Sequence, residues 1–260
     1  MTSPVTSPAA RPATVLTGPA VPAPLRRLAA QIAVGARMLS LDGHDDFNQG
    51  QISARMPGSA TFYIKNALCG FDEATPDQVV AASTDPDAPV DPLAPPELPL
   101  HQAIYRARPD VNGIVHSHAP HTLVFGATDL AVRPVSHEGA YFQDRLAVFT
   151  ATSNTVLDQA TGEAIADSLG DANGVLLRNH GGVVVGRSVR HAAVFAQVLE
   201  RACRLQLLAE QSGLPYHSSS AEDVQLKRDY IYADLSVRSY WDYAVRRVAR
   251  SSPEARDWPV

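Results

Sequence analysis

Two short apolar runs constrain the fold of this chain more than any other part of its sequence. In GVLLRNHGGVVVG, residues 174–186, apolar segments lie on both sides of a Gly-Gly pair. Glycines permit a tight reversal, so this segment predicts two strands that meet at a Gly-Gly corner. The second run, GIVHSHAP at residues 113–120, predicts a strand that a proline interrupts.

Helical and strand patterns alternate along the rest of the chain. Apolar residues at helical spacing predict helices at 22–41, 98–108, 161–170 and 189–213, and strands are predicted at QISARM, ATFYIKN and AVFTA. QISARM and ATFYIKN lie on either side of Pro57 and Gly58, which predicts a hairpin. There is no strict βαβ repeat and no glycine-rich phosphate loop. The pattern therefore predicts a single three-layer αβα domain with a central mixed, largely antiparallel sheet.

The ends of the chain differ from its middle in composition. Residues 1–21 are rich in Pro, Ser, Thr and Ala and predict a disordered N-terminal tail. Residues 22–215 form the predicted αβα domain, and residues 216–260 are a predicted C-terminal helical extension. Five prolines in residues 83–96 predict an extended surface loop.

Charge and cysteine content limit the classes of partner. The net charge of -5 provides no general attraction to nucleic acid, and no apolar stretch is long enough to predict a membrane span. Two cysteines far apart in the sequence do not suggest a disulfide framework, so a cytoplasmic location is expected. The expected partner is a small-molecule substrate.

Three histidines and one glutamate are candidates for a metal site. In a strand over residues 113–117, His116 and His118 point to the same face, and two neutral imidazoles can share a metal ion. The same spacing also suits two polar residues at a strand end. His180 lies beside the Gly-Gly pair, and Glu97 follows two prolines at the start of a helix, where the helix dipole also favours an acid.

Together these residues carry a resemblance to a known family. The succession E-x-P-L-H-x-x-I-Y-x-x-R-P-D-V-x-x-I-V-H-x-H, followed by N-H-G, resembles the class II aldolase and adducin head-domain family over residues 25–213. The resemblance implies that His116, His118 and His180 bind a divalent metal ion, with zinc first and iron(II) or manganese as alternatives. It also implies that Glu97 is the acid/base residue, and that the protein is a homotetramer with active sites at subunit interfaces.

The sequence departs from the sugar-phosphate aldolases of this family at the positions that hold the phosphate. The G-N-I-S turn becomes Gly50-Gln51-Ile52-Ser53, a T-G pair becomes Ala67-Leu68, and an S-S pair becomes Pro95-Pro96. These apolar and proline pairs lack the hydrogen-bond donors that a phosphate dianion needs once it leaves water. A non-phosphorylated substrate is therefore expected.

Five further residues are candidates for substrate binding. The tyrosine of the aldolases aligns with Glu138, between His137 and Tyr141, in a segment that resembles the adducin-like branch. These three residues either line the site or pack on a subunit surface. Lys65 and Asn66 lie where the pocket floor is expected, and Lys65 either meets a substrate carboxylate or is a solvated lysine at a strand end.

Three functions are consistent with these features. The leading hypothesis is a metal-dependent lyase that cleaves a non-phosphorylated oxo or hydroxy acid by retro-aldol cleavage or decarboxylation through a metal-held enediolate. The second is an iron(II)-dependent oxygenase that oxidatively decarboxylates an aromatic 2-oxo acid in secondary metabolism, as a few members that resemble this fold do. The third is a non-catalytic adducin-like scaffold, which has no need of the three histidines and Glu97.

Overall fold

A seven-stranded sheet forms the centre of the chain in a computed structural model that describes residue 16 and residues 20–260. The strands run in the order β3-β2-β1-β4-β7-β6-β5, and all neighbours are antiparallel except the parallel pair β5 and β6. The predicted mixed, largely antiparallel sheet is confirmed. The strands are β1 Gln51–Arg55, β2 Thr61–Lys65, β3 Val79–Ser83, β4 Gly113–Ser117, β5 Leu146–Phe149, β6 Gly174–Leu177 and β7 Gly181–Gly186.

Helices cover both faces of this sheet and complete the three predicted layers. One apolar cluster packs α1, α6 and α8 against one face, and a second packs α2 and α5 against the other. Each of the four helices predicted from apolar spacing is present. The helices are α1 Ala23–Ser40, α2 Leu98–Ala107, α3 Pro120–Gly126, α4 His137–Phe142, α5 Gln159–Leu169, α6 Val189–Gln211, α7 Ala221–Ile231 and α8 Asp234–Ser251. Among the residues that the structure describes, no helix combines the length and apolar character needed to cross a membrane.

The sequence predicts that the two ends of the chain are segments separate from the main domain. Most of the predicted N-terminal tail lies outside the described residues; Leu16, within it, is buried in the core cluster that contains α1. At the other end, Val237, Trp241 and Val248 of α8 are buried in that same cluster. The last helix therefore packs on the main domain, and the boundary at residue 215 stays a prediction.

The strand β3 and the short helices α3 and α4 were not predicted. β3 has the sequence VVAAS and pairs with β2 over its whole length, from Thr61 with Ser83 to Lys65 with Val79. Its four successive apolar residues do not alternate with polar ones, so pairing with β2 decides its conformation. After β3, residues 84–96 contain neither helix nor strand, as predicted, whereas Ser83, the first residue of the predicted loop, belongs to β3.

The turn between β6 and β7 differs from the prediction of a Gly-Gly corner. The reversal occurs at residues 178–180, where Asn179 has the positive φ of 57°, and Gly181 and Gly182 are the first residues of β7. A Cβ atom on Gly181 would lie 2.6 Å from the carbonyl oxygen of Ser117 and 2.8 Å from Cδ2 of His118. Glycine is required there because β4 and the His118 ring approach the backbone closely, not because the chain reverses.

Replacing Gly181 with alanine should therefore destabilise the protein. The added Cβ meets a backbone oxygen that cannot move aside, and we expect the free energy of unfolding to fall by about 1–3 kcal/mol. Denaturant unfolding of Gly181→Ala measures this change. Gly126→Ala is the control because its Cβ would have no contact closer than 3.5 Å; equal stability of the two variants would contradict the close-approach explanation.

Candidate metal centre

Four side chains predicted from sequence meet where the central strand β4 ends and β7 begins. His116 lies in the central strand β4, His118 follows that strand, His180 lies in the turn before β7, and Glu97 is the N-cap residue of α2. One ligand atom from each lies within 4.8 Å of the others. The three imidazole ring centres are 5.0–5.2 Å apart. The structure therefore brings the whole candidate set together, although 83 residues separate its ends in sequence.

The Glu97 carboxylate is buried and contacts two of the three imidazoles. Its Oε2 atom lies 3.2 Å from Nε2 of His116, and its Oε1 atom lies 3.4 Å from Nε2 of His180. The Gln51 amide donates a hydrogen bond to Oε2, and the Val156 backbone N–H donates one to Oε1, each at 3.1 Å. Both carboxylate oxygens therefore have polar partners, as a buried charge requires.

The pKa of Glu97 reflects this environment. Burial alone would raise the pKa of Glu97, but the charge and hydrogen bond of His116 outweigh burial, with smaller contributions from the Val156 N–H and the charge of His180. The pKa of Glu97 is consequently held far below its usual value, and the carboxylate is ionised at neutral pH.

The histidines differ in protonation. Burial, reinforced by the charge of His116, lowers the pKa of His118 and lowers the pKa of His180 to about 4. For His116, burial favours the neutral ring, but the charge of Glu97 and the hydrogen bonds that the ring donates to Glu97 and to the Gly182 carbonyl raise its pKa. Two imidazoles are therefore neutral at pH 7, the form in which histidine binds a metal ion.

The orientation of the rings also suits a metal ion. Nδ1 of His116 lies 3.1 Å from the carbonyl oxygen of Gly182, and Nδ1 of His118 lies 2.7 Å from Oδ2 of Asp46. The Nε2 atom of His118 is buried and makes no hydrogen bond within the described part of the chain. A buried nitrogen without a partner, beside two other imidazoles and a carboxylate, fits the ligand set of a zinc, iron or manganese ion.

A buried glutamate fixes the chain immediately after His118. Glu200 of α6 accepts hydrogen bonds from the backbone N–H groups of His121 and Thr122, at 3.0 and 2.8 Å, and from the Thr122 hydroxyl at 2.8 Å. These N–H groups belong to the first turn of α3 and have no partner within the helix. Glu200 thereby anchors α3. The local sequence does not indicate this role, because Glu200 and His121 lie 79 positions apart.

Lys65 and Asn66 are bonded within the loop after β2, and their contact with substrate stays a prediction. Lys65 is buried, with 1% of its surface exposed, and its ammonium group binds the backbone carbonyl oxygens of Asn48, Asn66 and Cys69. The alternative of a solvated lysine is wrong, and no substrate carboxylate is needed to satisfy its charge. The Asn66 side-chain oxygen accepts the N–H groups of Leu68 and Cys69. Both residues shape the loop after β2.

His137, Glu138 and Tyr141 do not join the metal cluster within this chain. His137 and Glu138 border a separate cavity of about 1080 Å³, whose lining contains none of the four clustered residues. The Glu138 carboxylate pairs with Arg201 at 2.9 Å. The Tyr141 ring stacks on Phe195 with ring centres 3.8 Å apart. Contact of these three residues with substrate stays a prediction that this chain alone does not support.

Known proteins share the fold of this chain. The family model of the Class II Aldolase and Adducin N-terminal domain matches residues 30–207. The chain belongs to this family. A crystal structure of an aldolase II superfamily protein from Pseudomonas syringae superposes with a TM-score of 0.80 and 27% identity, over 92% of this chain and 98% of that one.

Two Streptomyces proteins are among the similar sequences. Decarboxylase NovR from Streptomyces niveus is 31% identical over 188 residues, 70% of this chain and 70% of the relative. A Streptomyces roseochromogenus subsp. oscitans protein, named 4-hydroxy-3-prenylphenylpyruvate oxygenase/4-hydroxy-3-prenylbenzoate synthase, is also 31% identical, over 70% of this chain and 67% of the relative. Class II aldolases use a divalent metal, and the four-residue cluster of this chain could bind one.

Metal affinity should depend on pH through one proton. An ion must displace the proton of His116, whose pKa is raised, whereas His118 and His180 are already neutral at pH 7. We expect affinity to rise about tenfold per pH unit below the pKa of His116, where about one proton is released per ion, and to level off above that pKa, where the ring is already neutral. Calorimetric titration in two buffers of different ionisation enthalpy counts that proton. Release of two or more would contradict the neutral state of His118 and His180.

Proposed function

We propose that this protein is a divalent-metal-dependent lyase that decarboxylates or cleaves a non-phosphorylated oxo or hydroxy acid. The observation that carries the proposal is the convergence of Glu97 with His116, His118 and His180, in a chain whose relatives include a named decarboxylase. A bound ion would supply a Lewis acid that polarises adjacent substrate oxygens. Three imidazoles leave open positions on such an ion for these oxygens.

Glu97 is the group that moves the proton in this proposal. It is the carboxylate of the cluster, it is 2% exposed, and it is ionised at neutral pH, the form that can accept a proton. The hydrogen bonds from Gln51 and Val156 hold its two oxygens in place beside the imidazoles. A fixed carboxylate beside the three imidazoles is placed to exchange a proton with a substrate held there.

The residues around the cluster support a substrate without a phosphate group. The Gln51 amide, which occupies the asparagine position of the sugar-phosphate motif, is bonded to Glu97, and the Asn66 side chain is bonded within its own loop. Two apolar side chains instead face solvent on the neighbouring loops, Phe47 with 90% and Leu68 with 70% of their surface exposed. The loop before β1, which contains Phe47, contacts the loop after β2, which contains Leu68: the Asn48 side-chain amide donates a hydrogen bond to the Ala67 carbonyl oxygen. An acid with an apolar portion suits these surroundings.

An oxygenase is the second candidate. It is favoured by the relative from Streptomyces roseochromogenus, whose name includes a phenylpyruvate oxygenase activity. Imidazole ligands suit iron(II) as well as zinc, so the ligand set is compatible with both chemistries. The two candidates differ in their need for oxygen.

Replacing Glu97 with glutamine should remove turnover of the acid substrate. The amide preserves the shape of the side chain but cannot accept the proton, and we expect kcat to fall by about 10²–10⁴-fold. Release of carbon dioxide or aldehyde from a panel of 2-oxo and hydroxy acids, tested with and without phosphate groups, measures the effect. Glu222→Gln, an exposed change on α7, is the control. Full activity of Glu97→Gln would refute this role.

Metal content and oxygen use separate the two candidate reactions. We expect one divalent ion per chain after anaerobic reconstitution, lost in His116→Ala and retained in the exposed control His217→Ala. Turnover without oxygen, abolished by a chelator, supports the lyase. Turnover that consumes oxygen and requires iron supports the oxygenase, and no bound metal refutes both.

A further inference from the structure

We propose that Asp46 is a positioning residue that orients His118 for metal binding. The inference rests on the metal centre of the proposed function and adds to it a residue outside the ligand set. Asp46 lies in the loop between α1 and β1, and its Oδ2 atom is 2.7 Å from Nδ1 of His118. The Nε2 atom of His118 is buried and has no hydrogen-bond partner among the described residues.

The contact determines which ring nitrogen faces the cluster. Because the carboxylate accepts a hydrogen bond from the Nδ1–H group, the Nε2 lone pair is left free on the side of the ring that faces the cluster with Glu97, His116 and His180. Without this acceptor the ring could rotate and present the other nitrogen. A carboxylate behind a ligating histidine also increases the basicity of the ring, which strengthens its bond to the ion.

Asp46 is itself held by contacts on both sides of its loop. Two residues earlier, the buried His44 ring is bonded to the Ser117 hydroxyl at 2.9 Å, and Ser117 lies between the two ligand histidines. Two residues later, the Asn48 side chain donates to the Ala67 carbonyl oxygen at 3.0 Å.

Phe47, which directly follows Asp46, has a positive φ of 52°. An aromatic residue adopts this backbone conformation only when its neighbours fix it. The loop thus places the Asp46 carboxylate at one position relative to β4.

An ordinary surface ion pair does not account for this arrangement. The Asp46 side chain is 38% exposed, so an exposed pair with His118 would contribute little to stability. The contact nevertheless joins a partly exposed acid to a ring whose second nitrogen is buried in the cluster. Loss of this contact is therefore expected to weaken metal binding and to leave the stability of the metal-free protein unchanged.

Metal affinity of Asp46 variants tests the proposal. We expect Asp46→Ala to bind zinc or cobalt(II) about 10–100-fold more weakly than the unchanged protein. Asp46→Asn should fall between them, because its amide oxygen accepts the same hydrogen bond without a charge. The matched control is Asp45→Ala: Asp45 is the exposed neighbouring acid, bonded at 2.9 Å to the Ser40 hydroxyl, and its removal should leave affinity unchanged.

Chelator competition measures these affinities, and the visible spectrum of bound cobalt(II) reports a changed ligand geometry in Asp46→Ala. Equal affinity and an identical spectrum in Asp46→Ala and Asp45→Ala would overturn the proposal. So would a lowered Tm of the metal-free Asp46→Ala protein with unchanged affinity, since that result indicates a purely structural contact.

These measurements need no substrate and are independent of the reaction. If the protein binds metal in an Asp46-dependent way but turns over no acid, the lyase hypothesis is refuted and the role of Asp46 is supported. A protein that binds neither zinc nor cobalt(II) would refute the metal centre and the role of Asp46 together.

Discussion

The burial of the Glu97 carboxylate beside three imidazoles is the interaction on which the rest of the site depends. A charge removed from water is costly unless the charged oxygens themselves have polar partners. Gln51 from β1, Val156 from the segment before α5, and the rings of His116 and His180 meet this requirement together. The sheet order matters for this reason, since it brings β1, β4 and β7 side by side.

The environment of the cluster is built from the two sides of the sheet. His116 is directed towards the cluster, whereas the intervening Ser117 contacts His44 in the loop after α1. Glu200 on α6 then anchors the turn of α3 that follows His118. A change on one side of the sheet is therefore expected to reach the ligands through β4, because alternate side chains of one strand contact different layers.

Much of the fold and the candidate site could be predicted from sequence. The long helices and the central strands have periodic apolar patterns, and all are present. Glu97, His116, His118 and His180 belong to a motif whose residue types suit one chemistry, and they meet as predicted. Lys65 was harder to place, because a lysine at a strand end gives no local indication that three backbone carbonyls will surround it. β3 and the partners of Glu200 likewise depend on distant contacts.

The sequence by itself determined the layered fold class and the donor atoms of the candidate site, because apolar periodicity and side-chain chemistry are local properties. Tertiary structure decided which polar atoms satisfy one another. It bonded Lys65 and Asn66 within the loop after β2 and stacked Tyr141 on Phe195. It also placed the Asp46 carboxylate within hydrogen-bond distance of Nδ1 of His118. These outcomes depend on the distances between segments that only the folded chain brings together, and a buried polar group binds whichever partner then lies within reach.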